Sequence, residues 1–146
     1  MFERLLVPVD GSQHAKKALK VAADVAQCHS SSVCLVHVVR DLSLPKEILD
    51  MISSGEITAS RMQILQDSAT IILDQAQREL DAAGITEVRR ECLLGDPATS
   101  IVEYAEEHEV DLIVLGRRGL DPRGAMLGSV ARKLVNMTTL PCLVIG

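Results

Sequence analysis

Aromatic residues are almost absent from this chain, which contains one Phe, one Tyr and no Trp among its 146 residues. Proteins that bind single-stranded nucleic acid stack the bases on aromatic rings, so a stacking platform of that kind is excluded. Basic residues are also in the minority, with 15 Lys and Arg against 20 Asp and Glu and a net charge of −5. A surface that follows a phosphate backbone needs clustered basic residues, and the charge balance therefore argues against nucleic acid as a partner.

Long apolar runs and paired cysteines are missing as well. No apolar run approaches the length of about 18 residues that a membrane-spanning helix needs, and the opening MFERLLVPVDGS lacks the apolar region of a signal peptide. The cysteines form no CxxC pair, and no His lies at metal-ligand spacing from them. We therefore predict a cytoplasmic protein with no membrane insertion, no directly ligated metal and reduced, mostly buried thiols at Cys28, Cys34, Cys92 and Cys142.

Short apolar runs and helical periodicity alternate along the chain. The runs predict five strands, which are Leu5–Val9, Ser32–Val39, Thr86–Leu93, Asp111–Leu115 and Pro141–Ile145. Apolar residues at helical spacing predict a helix after Asp10-Gly11-Ser12, and three more at about Thr58–Ala83, from Asp96-Pro97 to about His108, and at about Leu127–Met137. Gly84 is the predicted C-cap of the second helix, and Asp96 the N-cap of the third. Asp41–Gly55 is polar and irregular, with a short helical piece predicted from Pro45.

Alternating strands and helices predict an α/β fold with a parallel sheet. With 47% hydrophobic and 24% charged residues, the chain fits one domain over residues 1–146 with a core of Leu, Val, Ile and Ala. We predict a single doubly wound, flavodoxin- or Rossmann-like domain, with helices on both faces of a five-stranded sheet of order 3-2-1-4-5. That order places Asp10 and Gly11 beside Gly116 and Gly119 at the switch point between strands one and four.

A glycine-rich segment follows the fourth strand in VDLIVLGRRGLDPRGAMLGSV, residues 110–130. We call Gly116–Ser129 the glycine loop. Gly116 and Gly119 have no Cβ, so the backbone there can take positive φ and its N–H groups can come close to an anion. Ser129 offers a hydroxyl and an N–H at a helix N-terminus, and positive charge comes from Arg117, Arg118 and Arg123. The pattern indicates a phosphate site, although loops of this composition also join strands to helices without any ligand.

Catalytic groups are hard to find in this sequence. No nucleophile has a nearby base, no lysine lies in the glycine loop, and the Gly-x-x-x-x-Gly-Lys pattern of P-loop enzymes is absent. His37 lies within an apolar strand, where a hydrogen-bonded core histidine is the expected role. Asp10 has two open roles, in the site or as the N-cap of the following helix. We predict no catalytic residue.

Three pieces of the sequence together resemble the universal stress protein family and its ATP-binding members. They are the opening LLVPVDGS, LVHVV in the second strand, and the late GRRG with LGSV followed by PCLVIG. The resemblance covers essentially the whole chain and implies an α/β fold with a split ATP-binding site. It also implies a homodimer and a regulatory role in the stress response that extends in some members to a membrane transporter. The final strand, Leu140–Ile145, is short and apolar and is expected at a sheet edge, where it could pair with a second copy. Because no catalytic residue is predicted, the protein is expected to be at most a slow ATPase.

The resemblance also assigns a role to individual residues. Asp10 would meet the ribose or a phosphate-bound Mg²⁺, and Val38 would bind adenine through its backbone. Val9 would line the adenine pocket, to which the resemblance adds Pro8 and Leu115. The phosphates and ribose of ATP would be held by the residues that match the family's loop, which are Gly116, Arg117, Arg118, Gly119, Gly128, Ser129 and Val130.

The glycine loop departs from the family pattern in its length. ATP-binding members have nine residues between the second glycine and the Gly-Ser or Gly-Thr pair, whereas eight residues, Leu120 to Leu127, separate Gly119 from Gly128 here. Pro122 and Gly124 would have to adapt the path of the shorter loop. This difference keeps open a second interpretation, a nucleotide-free interaction module of the same fold.

Overall fold

Short apolar segments form the strands, and the amphipathic segments between them form the helices. The computed structural model describes residues 1–40, 60–119 and 126–146. In chain order these contain β1 Arg4–Pro8, α1 Gln13–His29, β2 Ser32–Arg40, α2 Ser60–Ala82, β3 Val88–Gly95, α3 Pro97–Glu107, β4 Leu112–Gly116, α4 Ser129–Met137 and β5 Cys142–Ile145. The helical piece predicted from Pro45, the predicted start of the second helix at Thr58, and Pro122, Arg123 and Gly124 lie outside the described residues.

The strands form one sheet of order β3-β2-β1-β4-β5, in which neighbouring strands run parallel. Strand β1 lies at the centre, where Leu6 is aligned with Cys34 on β2 and with Ile113 on β4. The predicted order 3-2-1-4-5 is therefore confirmed. Its physical basis is the apolar run Leu5–Val7, whose three side chains are fully buried because helices cover both faces of the sheet.

Two hydrophobic clusters hold the helices on the sheet. On one face, Leu5 and Val7 pack against α1 and α2, whose buried residues include Ala18, Ala22, Leu73, Ala76 and Leu80. On the other face, Leu6 and Ile113 pack against α3 and α4 through Ile101, Ala105, Ala131 and Leu134. The inward side of α1 consists mainly of alanine, so its backbone lies close to the sheet. Leu, Val, Ile and Ala supply nearly all of this core, as predicted.

The predicted element boundaries are displaced by one or two residues. Strand β3 runs over Val88–Gly95, because it stays paired with β2 until Arg40 lies opposite Gly95. Helix α4 begins at Ser129, because its N-cap Gly128 has an extended backbone with φ −62° and ψ 159°. Pairing and capping set these ends, and neither is visible in the periodicity of apolar residues.

The predicted caps are confirmed at two helices. The Asp96 carboxylate accepts a hydrogen bond from the N–H of Thr99 at 3.0 Å, and Pro97 occupies the first turn of α3. Gly84 follows α2 in the left-handed region, with φ +82°, and the N–H of Ile85 bonds back to the carbonyl of Leu80 at 3.0 Å.

The expectation of mostly buried cysteines is wrong. Cys28 and Cys92 are exposed, Cys34 and Cys142 are half-buried, and all four thiols are free. Cys92 is exposed because it lies on the edge strand β3, while the Cys34 thiol donates a hydrogen bond to the Tyr104 hydroxyl at 3.2 Å. Partial desolvation by the surrounding protein raises the pKa of the Cys34, Cys92 and Cys142 thiols, so these three are protonated near neutral pH.

Among the described helices, none combines the length and the apolar character that crossing a bilayer requires. Residues 1–40, 60–119 and 126–146 also hold no group of three or more His, Cys, Asp or Glu side chains placed to bind a metal ion.

Candidate functional site

A pocket of about 780 Å³ opens at the carboxyl ends of β1, β2 and β4. It lies at the switch point of the sheet, where the chain leaves β1 and β4 toward opposite faces and where open α/β sheets bind their ligands. Small-molecule pockets in proteins measure roughly 300 to 1,000 Å³, so the space suits a molecule of nucleotide size.

All of the site residues predicted from the sequence lie on the wall of this one pocket. They are Pro8, Val9, Asp10, Val38, Leu115, Gly116, Arg117, Arg118, Gly119, Gly128, Ser129 and Val130. The fold thus brings together segments that are up to 122 positions apart, from Pro8 to Val130. Their roles in binding a ligand stay predictions.

The pocket wall divides into two parts of different chemistry. One part, which we call the apolar compartment, is formed by Val36 and Val38 of β2, Pro97 and Ile101 of α3, and Ala131 and Leu134 of α4. The other, the polar compartment, is formed by Asp10, Arg117, Arg118, Gly119, Gly128 and Ser129. An aromatic ring system fits the first part and an anionic group fits the second.

Sequence reasoning missed several residues of the pocket wall. Pro97 and Ile101 are brought there by the way α3 packs on the sheet, for which the sequence carries no local signal. Arg40 is different, because it follows the predicted Val38 by two positions on the same strand. Side chains two apart on a strand share a face, so the alternation along β2 was a usable signal for Arg40.

Asp10 lies in the turn between β1 and α1. Its Oδ1 accepts a hydrogen bond from the N–H of Ser12 at 2.8 Å, across Gly11 with φ +81°. The N-cap of α1 is Ser12, whose hydroxyl oxygen accepts a hydrogen bond from the N–H of Ala15 at 3.2 Å. The capping role considered for Asp10 is therefore wrong, and its half-buried carboxylate braces the turn at the pocket wall.

Gly116 and Gly119 allow close packing, and neither takes the positive φ that a glycine permits. The glycines with positive φ among the described residues are Gly11, Gly84 and Gly95. A Cβ on Gly116 would lie 2.7 Å from the carbonyl carbon of His14, which belongs to the backbone of α1. A Cβ on Gly119 would lie 3.0 Å from Oδ2 of Asp10. Gly116 therefore serves the packing of β4 on α1, whereas Gly119 faces the site.

The two ends of the glycine loop meet beside the pocket. The N–H of Gly128 donates a hydrogen bond to the carbonyl of Arg117 at 2.9 Å. A Cβ on Gly128 would lie 3.2 Å from that oxygen and 3.9 Å from the nitrogen of Gly119. A connection of eight residues is therefore long enough to bring Gly128 beside Gly119.

Helix α4 points its N-terminus into the polar compartment. Its N-cap is a glycine, so no side chain accepts hydrogen bonds from the first N–H groups of the helix. These groups and the helix dipole favour an anion at this end, and Ser129 adds its hydroxyl. Arg117 and Arg118 line the same compartment from the opposite side of the loop.

His37 links the carboxyl ends of β1 and β2 at the pocket wall. Its Nδ1 lies 2.7 Å from the carbonyl oxygen of Val9, and this nitrogen must carry the proton because a carbonyl only accepts. The N–H of Val9 in turn donates to the carbonyl of Val36 at 2.8 Å. The predicted hydrogen bond is confirmed, and it fixes the exit of β1 against β2. The expected core position is not, because His37 is half-buried on the pocket wall.

Asp96 and Lys133 join α3 to α4 beside the pocket. Oδ2 of Asp96 accepts from Lys133 Nζ at 2.9 Å and from the N–H and hydroxyl of Thr99 at 3.0 and 2.8 Å. The Lys133 ammonium and the Thr99 donors lower the pKa of Asp96 to about 2. Because both side chains are half exposed to solvent, this ion pair aligns the two helices more than it stabilises the fold.

Comparison with known proteins gives similarity over nearly the whole chain. A universal stress protein of Thermus aquaticus, from the QAH/OAS sulfhydrylase 3' region, is 33% identical over 150 residues, which cover 99% of each chain. The structure of UspA from Lactobacillus plantarum has a TM-score of 0.82 and 29% identity, over 99% of this chain and 98% of that one. The Archaeoglobus fulgidus universal stress protein, solved in complex with dAMP, has a TM-score of 0.70 and 25% identity over 100% of both chains. The profile of the universal stress protein family matches residues 1–146, and the chain belongs to this family.

Proposed function

We propose that this chain binds ATP in the pocket at the switch point and acts as a nucleotide-dependent regulatory module in the stress response. The observation that carries the proposal is the division of the pocket into an apolar and a polar compartment, with all of the predicted nucleotide-binding residues on its wall. The dAMP complex of the Archaeoglobus fulgidus relative supports a nucleotide as the ligand.

The order of the strands supports one direction for the bound nucleotide. Adenine occupies the apolar compartment at the end of β2, where the backbone of Val38 binds it. The ribose lies over the end of β1, beside Asp10, and the phosphates reach the glycine loop after β4 and the N-terminus of α4. Adjacent strands are about 4.8 Å apart, so base and phosphate sites are separated by roughly 10 Å across the sheet.

Magnesium fits this arrangement as an ion carried by the phosphates. The ion takes oxygen ligands and is commonly held by substrate phosphates and one or two carboxylates. Asp10 supplies one carboxylate in the polar compartment, in which the other charged side chains are arginines. Magnesium would neutralise phosphate charge there, and the arginines and helix N–H groups would hold the remaining oxygens.

The proposal is tested by extracting nucleotide from gently purified protein and measuring its identity and stoichiometry. We expect about one adenine nucleotide per chain, or its uptake when ATP and magnesium are added to stripped protein. Adenosine should bind more weakly than ATP, because it leaves the polar compartment unused. Protein that neither carries nor takes up nucleotide would contradict the proposal and favour the nucleotide-free interaction module.

Slow ATP hydrolysis is the second candidate, and the same samples test it. The described part of the pocket wall contains no nucleophile paired with a base, so we expect bound ATP to persist. Phosphate release that disappears in Asp10→Ala would favour the slow ATPase.

We further propose that the chain forms a homodimer through β5, an edge strand of the sheet. Leu143 and Val144 of β5 are each 38% exposed, whereas the opposite edge strand β3 carries the charged Arg89 and Arg90. Charged edges resist pairing, and an uncharged apolar edge favours it.

Leu143→Asp is expected to convert the dimer to a monomer, because the variant places a carboxylate in the apolar interface. The measurement is molar mass by light scattering, with Ile71→Asp on α2 as control, since Ile71 is also exposed but lies far from β5 in the fold. A parent that is monomeric at high concentration, or a variant that remains a dimer, would refute the proposal.

Regulation requires that nucleotide binds one conformation more tightly than another. The glycine loop is the segment that the phosphates would order, and the partner is a cytoplasmic protein or the cytoplasmic side of a transporter. A pull-down with and without ATP checks this part of the proposal, and recovery of the same proteins in both conditions would count against it.

A further inference from the structure

Helix α4 depends on α3 for its position. It has nine residues, of which Ala131 and Leu134 are buried, and its backbone is in more extensive contact with α3 than with any strand. Both buried residues line the apolar compartment, and so do Pro97 and Ile101 of α3. The spacing of the two helices therefore sets the width of this compartment.

One ion pair joins the two helices beside the apolar compartment. Lys133 of α4 donates to Oδ2 of Asp96, the N-cap of α3, at 2.9 Å. Neither residue lines the pocket, but the residue that follows each of them does, namely Leu134 and Pro97. In the part of the chain that the structure describes, no other side-chain hydrogen bond or ion pair joins α3 with α4. The pair is therefore placed to fix the spacing of the helices without touching the ligand.

Ionic strength is the variable that weakens this pair near neutral pH. Asp96 is ionised there, because the hydrogen bonds from Lys133 and Thr99 lower its pKa to about 2. The side chains of Lys133 and Asp96 are 52% and 49% exposed, and ion pairs that are open to water weaken as mobile ions screen them. Exposed pairs of this kind shift an equilibrium by up to about fivefold. An effect of that size can change a binding affinity and leave the fold intact.

We propose that Asp96 and Lys133 are positioning residues for the apolar compartment, so that the affinity of the pocket for the base of a nucleotide falls as ionic strength rises. When the pair is screened, α4 separates from α3, and the ring loses contact with Ile101 or Leu134. The inference rests on the proposed function, because it requires the adenine to lie in this compartment. It adds a form of regulation to that site, in which a more saline solution releases the nucleotide.

Adenosine is the probe that separates this effect from screening of the phosphates. It carries no charge, so salt affects its binding through the protein. We expect the adenosine affinity of the parent protein to fall about threefold between about 0.1 and about 1 M KCl, and that of Lys133→Met to change by less than about 1.5-fold. Calorimetric titration measures both. An equal salt dependence in the parent and the variant would overturn the proposal.

Substitutions compared at low salt give a second test, with ATP and adenosine as ligands. Lys133→Met should lower both affinities by the same factor, about three- to fivefold, because the base is common to both ligands. Asp96→Asn keeps an N-cap for α3 and loses the charge, and the double variant should lose no more affinity than either single variant. Lys133→Arg should restore most of the parent affinity. Thermal unfolding without ligand should be nearly the same in all of these proteins.

A matched control is Lys20→Met, which removes the same charge from an exposed residue of α1 that does not line the pocket. It should behave like the parent protein at low and at high salt. A larger loss for ATP than for adenosine in Lys133→Met would overturn the proposal, because Lys133 would then act on the phosphates through its charge. Unchanged affinities in Lys133→Met, or losses that add in the double variant, would also overturn it and leave the proposed function intact.

The parent protein itself distinguishes the inference from the proposed function. A parent that binds ATP but not adenosine would show that the apolar compartment adds no affinity, and it would overturn the inference alone. A parent that binds neither ligand would refute both.

Discussion

Replacing Gly116 with alanine is expected to lower the free energy of unfolding by about 2 to 3 kcal/mol. The added Cβ would lie 2.7 Å from the carbonyl carbon of His14 and 2.9 Å from the nitrogen of Ala15. Both atoms belong to the backbone of the first turn of α1, where the Ser12 cap fixes the helix. Relief would therefore require α1 to move away from β4, which would open the alanine-rich contact between this helix and the sheet.

Chemical denaturation of the parent and of Gly116→Ala measures this effect. The matched control is Gly119→Ala, which also adds one methyl group to the loop. Its Cβ would meet the carboxylate end of Asp10 at 3.0 Å, and a side chain can rotate away where a helix backbone cannot. We expect Gly119→Ala to lower the free energy of unfolding by less than about 1 kcal/mol. Equal denaturation midpoints for the parent and Gly116→Ala would show that α1 adapts at no cost.

Gly119→Val is expected to lower the affinity for ATP at least about thirtyfold while the protein stays folded. The Cβ would already contact Oδ2 of Asp10, and the two further methyl groups would occupy the space through which the loop backbone approaches a phosphate. The loss should be larger for ATP than for adenosine, because the substitution affects the polar compartment and leaves the apolar compartment unchanged.

Calorimetric titration with ATP and adenosine, together with the nucleotide content of purified protein, measures the effect of Gly119→Val. Gly119→Ala serves as the intermediate, since it adds the Cβ without the branch. Thermal unfolding without nucleotide shows whether the variant is folded. A folded Gly119→Val protein that still carries stoichiometric ATP would mean that the phosphates do not approach the loop at this residue.

Much of the fold was predictable because it depends on signals spread over many residues. The apolar run Leu5–Val7 is buried on both faces and indicates a central strand of a parallel sheet, while Asp96-Pro97 and Gly84 mark helix ends by their backbone chemistry. The candidate site was predictable where a motif directly follows a strand, as Asp10 follows β1.

What the sequence did not reveal depends on how elements pack. Gly116 is a glycine because His14 and Ala15 of α1 lie against it. These residues are more than 100 positions away in the chain, so the sequence around Gly116 does not indicate the contact. Pro97 and Ile101 reach the pocket because α3 docks on the sheet at a particular angle. The cysteines were expected to be mostly buried, but Cys28 lies on the exposed side of α1 and Cys92 on the edge strand β3.

The backbone of Arg117 is held on both sides. Its N–H donates to the carbonyl of Ile145 at 2.7 Å, and its own carbonyl accepts from the N–H of Gly128 at 2.9 Å. A single residue therefore connects the N-terminus of α4 with the last residue of the edge strand, without any side chain between them. If phosphates bind at Gly128 and a second copy pairs along β5, only two hydrogen bonds separate the ligand from the partner subunit. Nucleotide binding in one pocket would then change the backbone at the subunit interface first.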